Sequence, residues 1–207
     1  MLRLHVTDEE AITVTAATLR QGGVVVVPTD TVYGLAAVPH DADAVGRIFL
    51  AKARPADTHL PVLAASLDQV ASLGVEFSDA AHALAARWWP GPLTLAFGFS
   101  ATSARPAWLE GRLEVAVRVP DHPFLLAVMA ETGVLLVTSA NHHGQATAPS
   151  AAEAAQALAP HVALIVDGGV LASTPSTLVN VAVDPPVVER QGAIAGDAVA
   201  DALSSLP

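Results

Sequence analysis

Four consecutive valines, Val24 to Val27, set between Gly22-Gly23 and Pro28, constrain the fold most. A β-branched run closed off by glycine on one side and proline on the other reads as a buried strand. It leads into Pro28-Thr29-Asp30-Thr31-Val32-Tyr33-Gly34-Leu35, where two threonine hydroxyls, a carboxylate and the only tyrosine of the chain arrive together and Gly34 closes the turn. Polar groups delivered by a rigid strand into a turn are where α/β proteins place binding chemistry. A well-capped turn accounts for these eight residues equally well.

The rest of the chain mixes strands with helices. Thr7-Asp8-Glu9-Glu10 has capping-box spacing and predicts a helix to about Arg20. Asp41 to Lys52 reads as a second helix, with Val45, Ile48 and Phe49 on one face. Pro55 then disfavours helical geometry at Arg54, so Lys52 and Arg54, two apart in an extended segment, can point to the same side. Further strands are predicted at Pro61–Ala65, Leu93–Phe99, Val134–Val137, Ala163–Val166 and Leu178–Val183, with a short extended stretch at Val187–Arg190. Leu113–Val119 alternates, placing Glu114 and Arg118 on one face and Val115, Val117 and Val119 on the other. Helices are predicted at Leu67–Leu73, Ser78–Trp88, from an Asp121 cap to about Glu131, from Ser150 to Leu158, and weakly at Asp197–Leu203. With no repeat and no linker, the expectation is one domain over 1–207: an α/β fold with a twisted mixed sheet and flanking helices.

Charge narrows the function. The net charge of −10 argues against a broad surface for nucleic-acid phosphates, so each cation matters individually. Lys52 is the only lysine, and after Arg118 the only basic side chain is Arg190. No apolar run approaches the ~18 residues of a membrane span, and Asp8-Glu9-Glu10 follows too early for a signal peptide. A chain without cysteine has no disulfide, thiolate zinc site or cysteine nucleophile. A soluble cytoplasmic protein without a membrane partner is expected.

Three hydroxyl-rich clusters follow strands or turns: Thr29 to Tyr33, Thr138-Ser139-Ala140-Asn141, and Ser173-Thr174-Pro175-Ser176-Thr177. With Lys52 and Arg54, and the isolated Arg118 and Arg190, they describe a pocket for an anionic, phosphorylated ligand. Such turns also exist simply to satisfy backbone groups. There is no Walker loop and no GxGxxG, Ser139 lacks a nucleophile elbow, and His142-His143 reads as loop histidines with no metal site expected.

Taken together, these segments resemble the YrdC-like family of threonylcarbamoyl-AMP synthases. The resemblance rests on Pro28 to Leu35, Lys52-Ala53-Arg54-Pro55, Trp89-Pro90-Gly91-Pro92-Leu93-Thr94, Arg118-Val119-Pro120-Asp121-His122-Pro123, Thr138 to Asn141 with Gly144, Pro175-Ser176-Thr177-Leu178-Val179, and Arg190 with Gly192-Ala193-Ile194. It implies a fold with a concave ligand-holding face. It implies an enzyme, a nucleotidyltransferase, making L-threonylcarbamoyl-adenylate and pyrophosphate from L-threonine, bicarbonate and ATP. The product then goes to a separate transferase complex that modifies the tRNA adenosine beside the anticodon.

By the resemblance, Lys52 and Arg54 are catalytic and hold the triphosphate; Ser139, Asn141, Ser176 and Arg190 bind nucleotide. Thr31, Tyr33, Arg54, Arg118 and Ser176 serve the threonine end. Mg2+ rides in with ATP, and so acidic a chain implies weak or no direct tRNA binding. Three positions depart from the family pattern. His59-Leu60 replaces a Pro-Leu pair, Leu63 stands where relatives carry a histidine, and His143 stands where serine is common, which bears on amino-acid selectivity. Longer relatives carry a further C-terminal domain, for which a chain ending at Pro207 leaves no room. An RNA-binding or ribosome-associated member of the same fold, without synthase activity, is the alternative.

Overall fold

Apolar β-branched runs separated by alanine-rich segments bury both kinds of face by laying helices on a sheet. The computed structural model, which describes residues 1–53, 59–142, 144–171 and 174–204, is built this way. In chain order its elements are β1 (Leu2–His5), α1 (Ala11–Arg20), β2 (Val25–Val27), β3 (Gly34–Ala37), α2 (Ala42–Lys52), β4 (Val62–Leu63), α3 (Leu67–Ala71) and α4 (Asp79–Trp88). There follow β5 (Leu93–Gly98), β6 (Glu114–Arg118), α5 (Pro123–Thr132), β7 (Leu135–Ser139), α6 (Ala151–Leu158), β8 (Leu164–Asp167), β9 (Thr177–Asn180), β10 (Val187–Arg190) and α7 (Gly196–Ser204). The strands form one open mixed sheet in the order β1-β8-β2-β3-β7-β4-β6-β5-β9-β10. β1, β2 and β8 run parallel, as do β4 with β6 and β5 with β9, while the remaining neighbours are antiparallel.

The two faces are covered differently. Val24, Val26, Leu35, Val62, Leu95, Val115, Val117 and Val119 join residues of α2, α3, α4, α6 and α7 in one core. Val25, Val27, Ala36, Leu63, Leu135 and Val137 face the other way and pack with Ala11 and Leu19 of α1 and Phe124, Leu125, Val128 and Met129 of α5. Alternation along the strands puts Arg118, Thr94 and Ser139 on this second face, beyond the part that α1 and α5 fill. The valine face expected for Val115, Val117 and Val119 is therefore the buried one, and Arg118 opposes it as the alternation indicated.

Four segments differ from expectation. Thr7 does not cap α1. Its hydroxyl pairs with His5 Nδ1 at 2.7 Å, and the Asp8 carboxylate accepts from His5 N–H at 2.7 Å, so the helix starts at Ala11 without a side-chain cap. These bonds turn the chain out of β1, a four-residue edge strand too short to show a period. Gly34 does not close a turn; it opens β3, which pairs with both β2 and β7. A Cβ there would meet the Val137 side chain at 2.5 Å, and Gly34 with Ala36 and Ala37 gives the strand little β propensity. Asp121 does not cap α5 either: His122 holds that position without a side-chain cap bond, and Pro123 in the first turn sets the helical φ. β7 also runs two residues further than expected, so Thr138 and Ser139 belong to the strand.

Candidate active site

Arg118 is the clearest anchor of the site. It is the last residue of β6, only 5% exposed, and so needs partners for its charge and its N–H groups. Nη2 pairs with Asp30 Oδ1 at 2.5 Å, Nη1 donates to Thr31 Oγ1 at 2.7 Å, and Nε donates to the Gly91 carbonyl at 2.9 Å. Thr31 is itself held: Thr29 Oγ1 lies 3.0 Å from its hydroxyl and accepts from the Thr31 and Val32 N–H groups. The stretch after the valine strand is thus a hydrogen-bonded cradle for a guanidinium. Asp30, Thr31, Pro90, Gly91, Pro92, Asp121, Thr174 and Ala193 line a cavity of about 410 Å³ directly beside it.

A second cation faces the same region. Arg190 ends β10 and donates from Nε and Nη2 to the Ser176 carbonyl, at 3.2 and 3.1 Å, and from Nη2 to Ser176 Oγ at 3.2 Å. Partial burial of its guanidinium lowers its pKa. At Arg118 burial also lowers the pKa, Asp30 opposes the shift, and the charge of Arg190 adds to it. Arg118 and Arg190 are thus near enough for their charges to repel, which an anion beside them would relieve.

Gly192 makes this arrangement possible, because a methyl group there would collide with backbone atoms of Pro175 and Ser176. Thr177 Oγ1 accepts from Gly192 and Ile194 N–H, both at 3.0 Å, and holds that close approach. Replacing Gly192 with alanine is expected to lower stability by about 1–3 kcal/mol, checked by thermal unfolding.

Lys52 forms a third group with the exit of β7. The last residue of α2, it is 2% exposed, and its ammonium donates to the carbonyls of Ser139 at 2.5 Å and Asn141 at 2.6 Å. Lys52, Ser139 and Asn141 are therefore one cluster. Arg54, expected beside Lys52, lies outside the described residues, as do His143 and Ser173 of the polar segments. Asn141 donates both Nδ2 protons, to His142 O at 2.8 Å and Gln145 O at 2.7 Å, which assigns the amide and leaves Oδ1 buried without a partner among the described residues. The Ser139 side chain is partly exposed at the mouth of this turn.

Tyr33 is not brought to the cavity. Its buried hydroxyl donates to Gly169 O at 2.6 Å and accepts from Gly168 N–H at 3.0 Å, fastening the turn after β8. Leu63, at the position where the family pattern has histidine, packs with Phe124 and Leu125 in the core under α5. Sequence reasoning assigned no role to Asp30 or Gly91, although both stand inside motifs it had singled out.

A buried arginine, a buried lysine and hydroxyls at the strand ends of an open mixed sheet gather cationic and polar groups in an α/β fold. The Sua5/YciO/YrdC family model, described as telomere recombination, matches residues 17–192, and the chain belongs to this family. The threonylcarbamoyl-AMP synthase of Bacillus subtilis (strain 168) is 39% identical over 190 residues, covering 91% of this chain and 55% of that protein. A crystal structure of Pyrococcus abyssi Sua5 complexed with L-threonine superposes with a TM-score of 0.87 at 35% identity, over 98% of this chain and 60% of its own. Escherichia coli YciO matches with a TM-score of 0.81 at 27% identity, over 93% and 94% of the two chains. The chain spans about half the length of the curated relatives it matches first.

Proposed function

We propose that this chain, as one domain, is a threonylcarbamoyl-AMP synthase, a nucleotidyltransferase that joins L-threonine, bicarbonate and ATP. The observation that carries the reading is the Asp30–Arg118–Thr31 cradle beside a cavity lined by Asp30, Thr31, Thr174 and Ala193, with Arg190 held on Ser176 near enough for its charge to act on Arg118. Its support is the naming of relatives as this synthase and the L-threonine complex of the P. abyssi relative.

In the reaction the threonine amino group loses a proton and takes up bicarbonate with loss of water. A carbamate oxygen then attacks the α-phosphorus of ATP, and the bond to pyrophosphate breaks. The two N–H groups of Arg118 not committed to protein bind the threonine carboxylate. Thr31 fixes the direction of that guanidinium. Lys52 and Arg54 supply fixed positive charge for the phosphates, with Arg190 and Ser176 closing on them, so that charge developing in the transition state meets charges already in place. Ser139 donates to a phosphate oxygen. Asn141 offers only an acceptor, so it faces a ribose hydroxyl or an amino group of the nucleoside. Mg2+ enters with ATP as part of the substrate. The product passes to a tRNA-modifying transferase complex, and a chain of net charge −10 takes no strong hold of tRNA itself.

Thr31 separates the two ends of the site. Replacing it with valine keeps its volume and removes one acceptor from Arg118. The KM for L-threonine is expected to rise about five- to tenfold, with the KM for ATP changed less than about twofold. An equal rise in both would show that Thr31 does not belong to the threonine end.

A further inference from the structure

Thr94 has no role in the account so far. It lies on β5, 4% exposed, on the sheet face that carries Arg118, and its Oγ1 is 2.8 Å from Ser176 Oγ. This is its only side-chain hydrogen bond among the described residues. The register explains the meeting. β5 and β9 are parallel with Leu93 opposite Thr177 and Thr94 opposite Leu178, so Ser176, just before β9 and two positions from Leu178, shares the face of Thr94 and meets it diagonally.

A serine hydroxyl has one proton and two lone pairs. Arg190 Nη2 donates to Ser176 Oγ, which fills one lone pair. Two arrangements remain. If Ser176 donates to Thr94, a ligand approaching Ser176 meets a lone pair, which repels an anion. If Thr94 donates to Ser176, both lone pairs are filled and the serine proton is left for a ligand oxygen. Accepting from a cation and a hydroxyl also polarises that O–H and strengthens its donation. Thr94, buried and with no competing acceptor for its own proton among the described residues, is suited to the second arrangement.

We propose that Thr94 is a positioning residue: it donates to Ser176 and so turns the Ser176 proton toward an anionic oxygen of the bound substrate. The proposal rests on the synthase reading for the identity of that substrate, whose oxygen belongs to an ATP phosphate or to the threonine carboxylate. The geometry itself requires only an anion.

The test compares wild type with Thr94→Val and Thr94→Ser, using titration calorimetry of Mg-ATP and, separately, of L-threonine, with thermal unfolding alongside. Thr94→Val is expected to weaken binding of one of the two by about five- to tenfold, and which one identifies the oxygen that Ser176 meets. Thr94→Ser restores the hydroxyl and is expected to bind within about twofold of wild type. In turnover the loss should appear in the KM of that same substrate, with kcat changed less. Thr94→Val binding both ligands like wild type, or Thr94→Ser binding as weakly as Thr94→Val, overturns the role of Thr94. Wild-type protein that binds neither ligand overturns the synthase reading together with it.

Discussion

Replacing Lys52 with methionine is expected to lower pyrophosphate release by at least about a hundredfold, the scale lost when one fixed charge or donor is removed from a transition-state site. The structure adds a second consequence. The ammonium donates to the Ser139 and Asn141 carbonyls from a residue 2% exposed, so methionine leaves two carbonyl groups without that partner. Each such loss costs about 1–3 kcal/mol, and the turn that carries Ser139 and Asn141 loosens. Thermal unfolding and pyrophosphate release measured on the same sample separate the two effects. A variant that stays folded at the assay temperature yet keeps half its turnover would remove Lys52 from catalysis.

Replacing Arg118 with leucine is expected to abolish threonine-dependent turnover and to destabilise the protein by about 3–5 kcal/mol, because Asp30 is left as a largely buried, uncompensated carboxylate. Gly91 O and Thr31 Oγ1 lose their donor as well. The partner substitution Asp30→Asn is expected to soften the loss. In the double variant Asp30→Asn/Arg118→Leu the combined destabilisation should fall short of the sum of the two by about 1–3 kcal/mol, the coupling of residues in direct contact. Denaturant unfolding of the four proteins measures it. Additive losses would show that the pair does not organise the cradle.

Much of this site was legible because its residues sit at the ends of strongly apolar strands. The valines of β2, the alternation of β6 and the breaks at Pro90-Gly91-Pro92 placed Asp30, Thr31, Arg118 and Gly91 near strand ends before any geometry was known. Their pairing was not legible. Asp30 and Arg118 are 88 residues apart and meet only because β4 and β7 bring β6 into the same sheet as β3. The same holds for Thr94 and Ser176, joined by a parallel register that local pattern does not encode. β1 and β3 escaped notice for different reasons, one short and exposed, the other with three small residues around Leu35 where β2 and β7 press close. Tyr33 was grouped with Thr31 because both follow the same strand, yet they are two residues apart in an irregular loop and their hydroxyls go to different turns. Leu63 marks a real departure from the family pattern, and its side chain serves the core beneath α5.

The central claim, that the paired cradle and the second arginine serve synthesis of an adenylate from threonine, is tested most directly by pyrophosphate release with Mg-ATP, with L-threonine and bicarbonate omitted in turn. Turnover is expected to require both, and each omission should bring release down to the background of ATP alone. Release indifferent to both omissions, or salt-sensitive tRNA binding with no release at all, would contradict it.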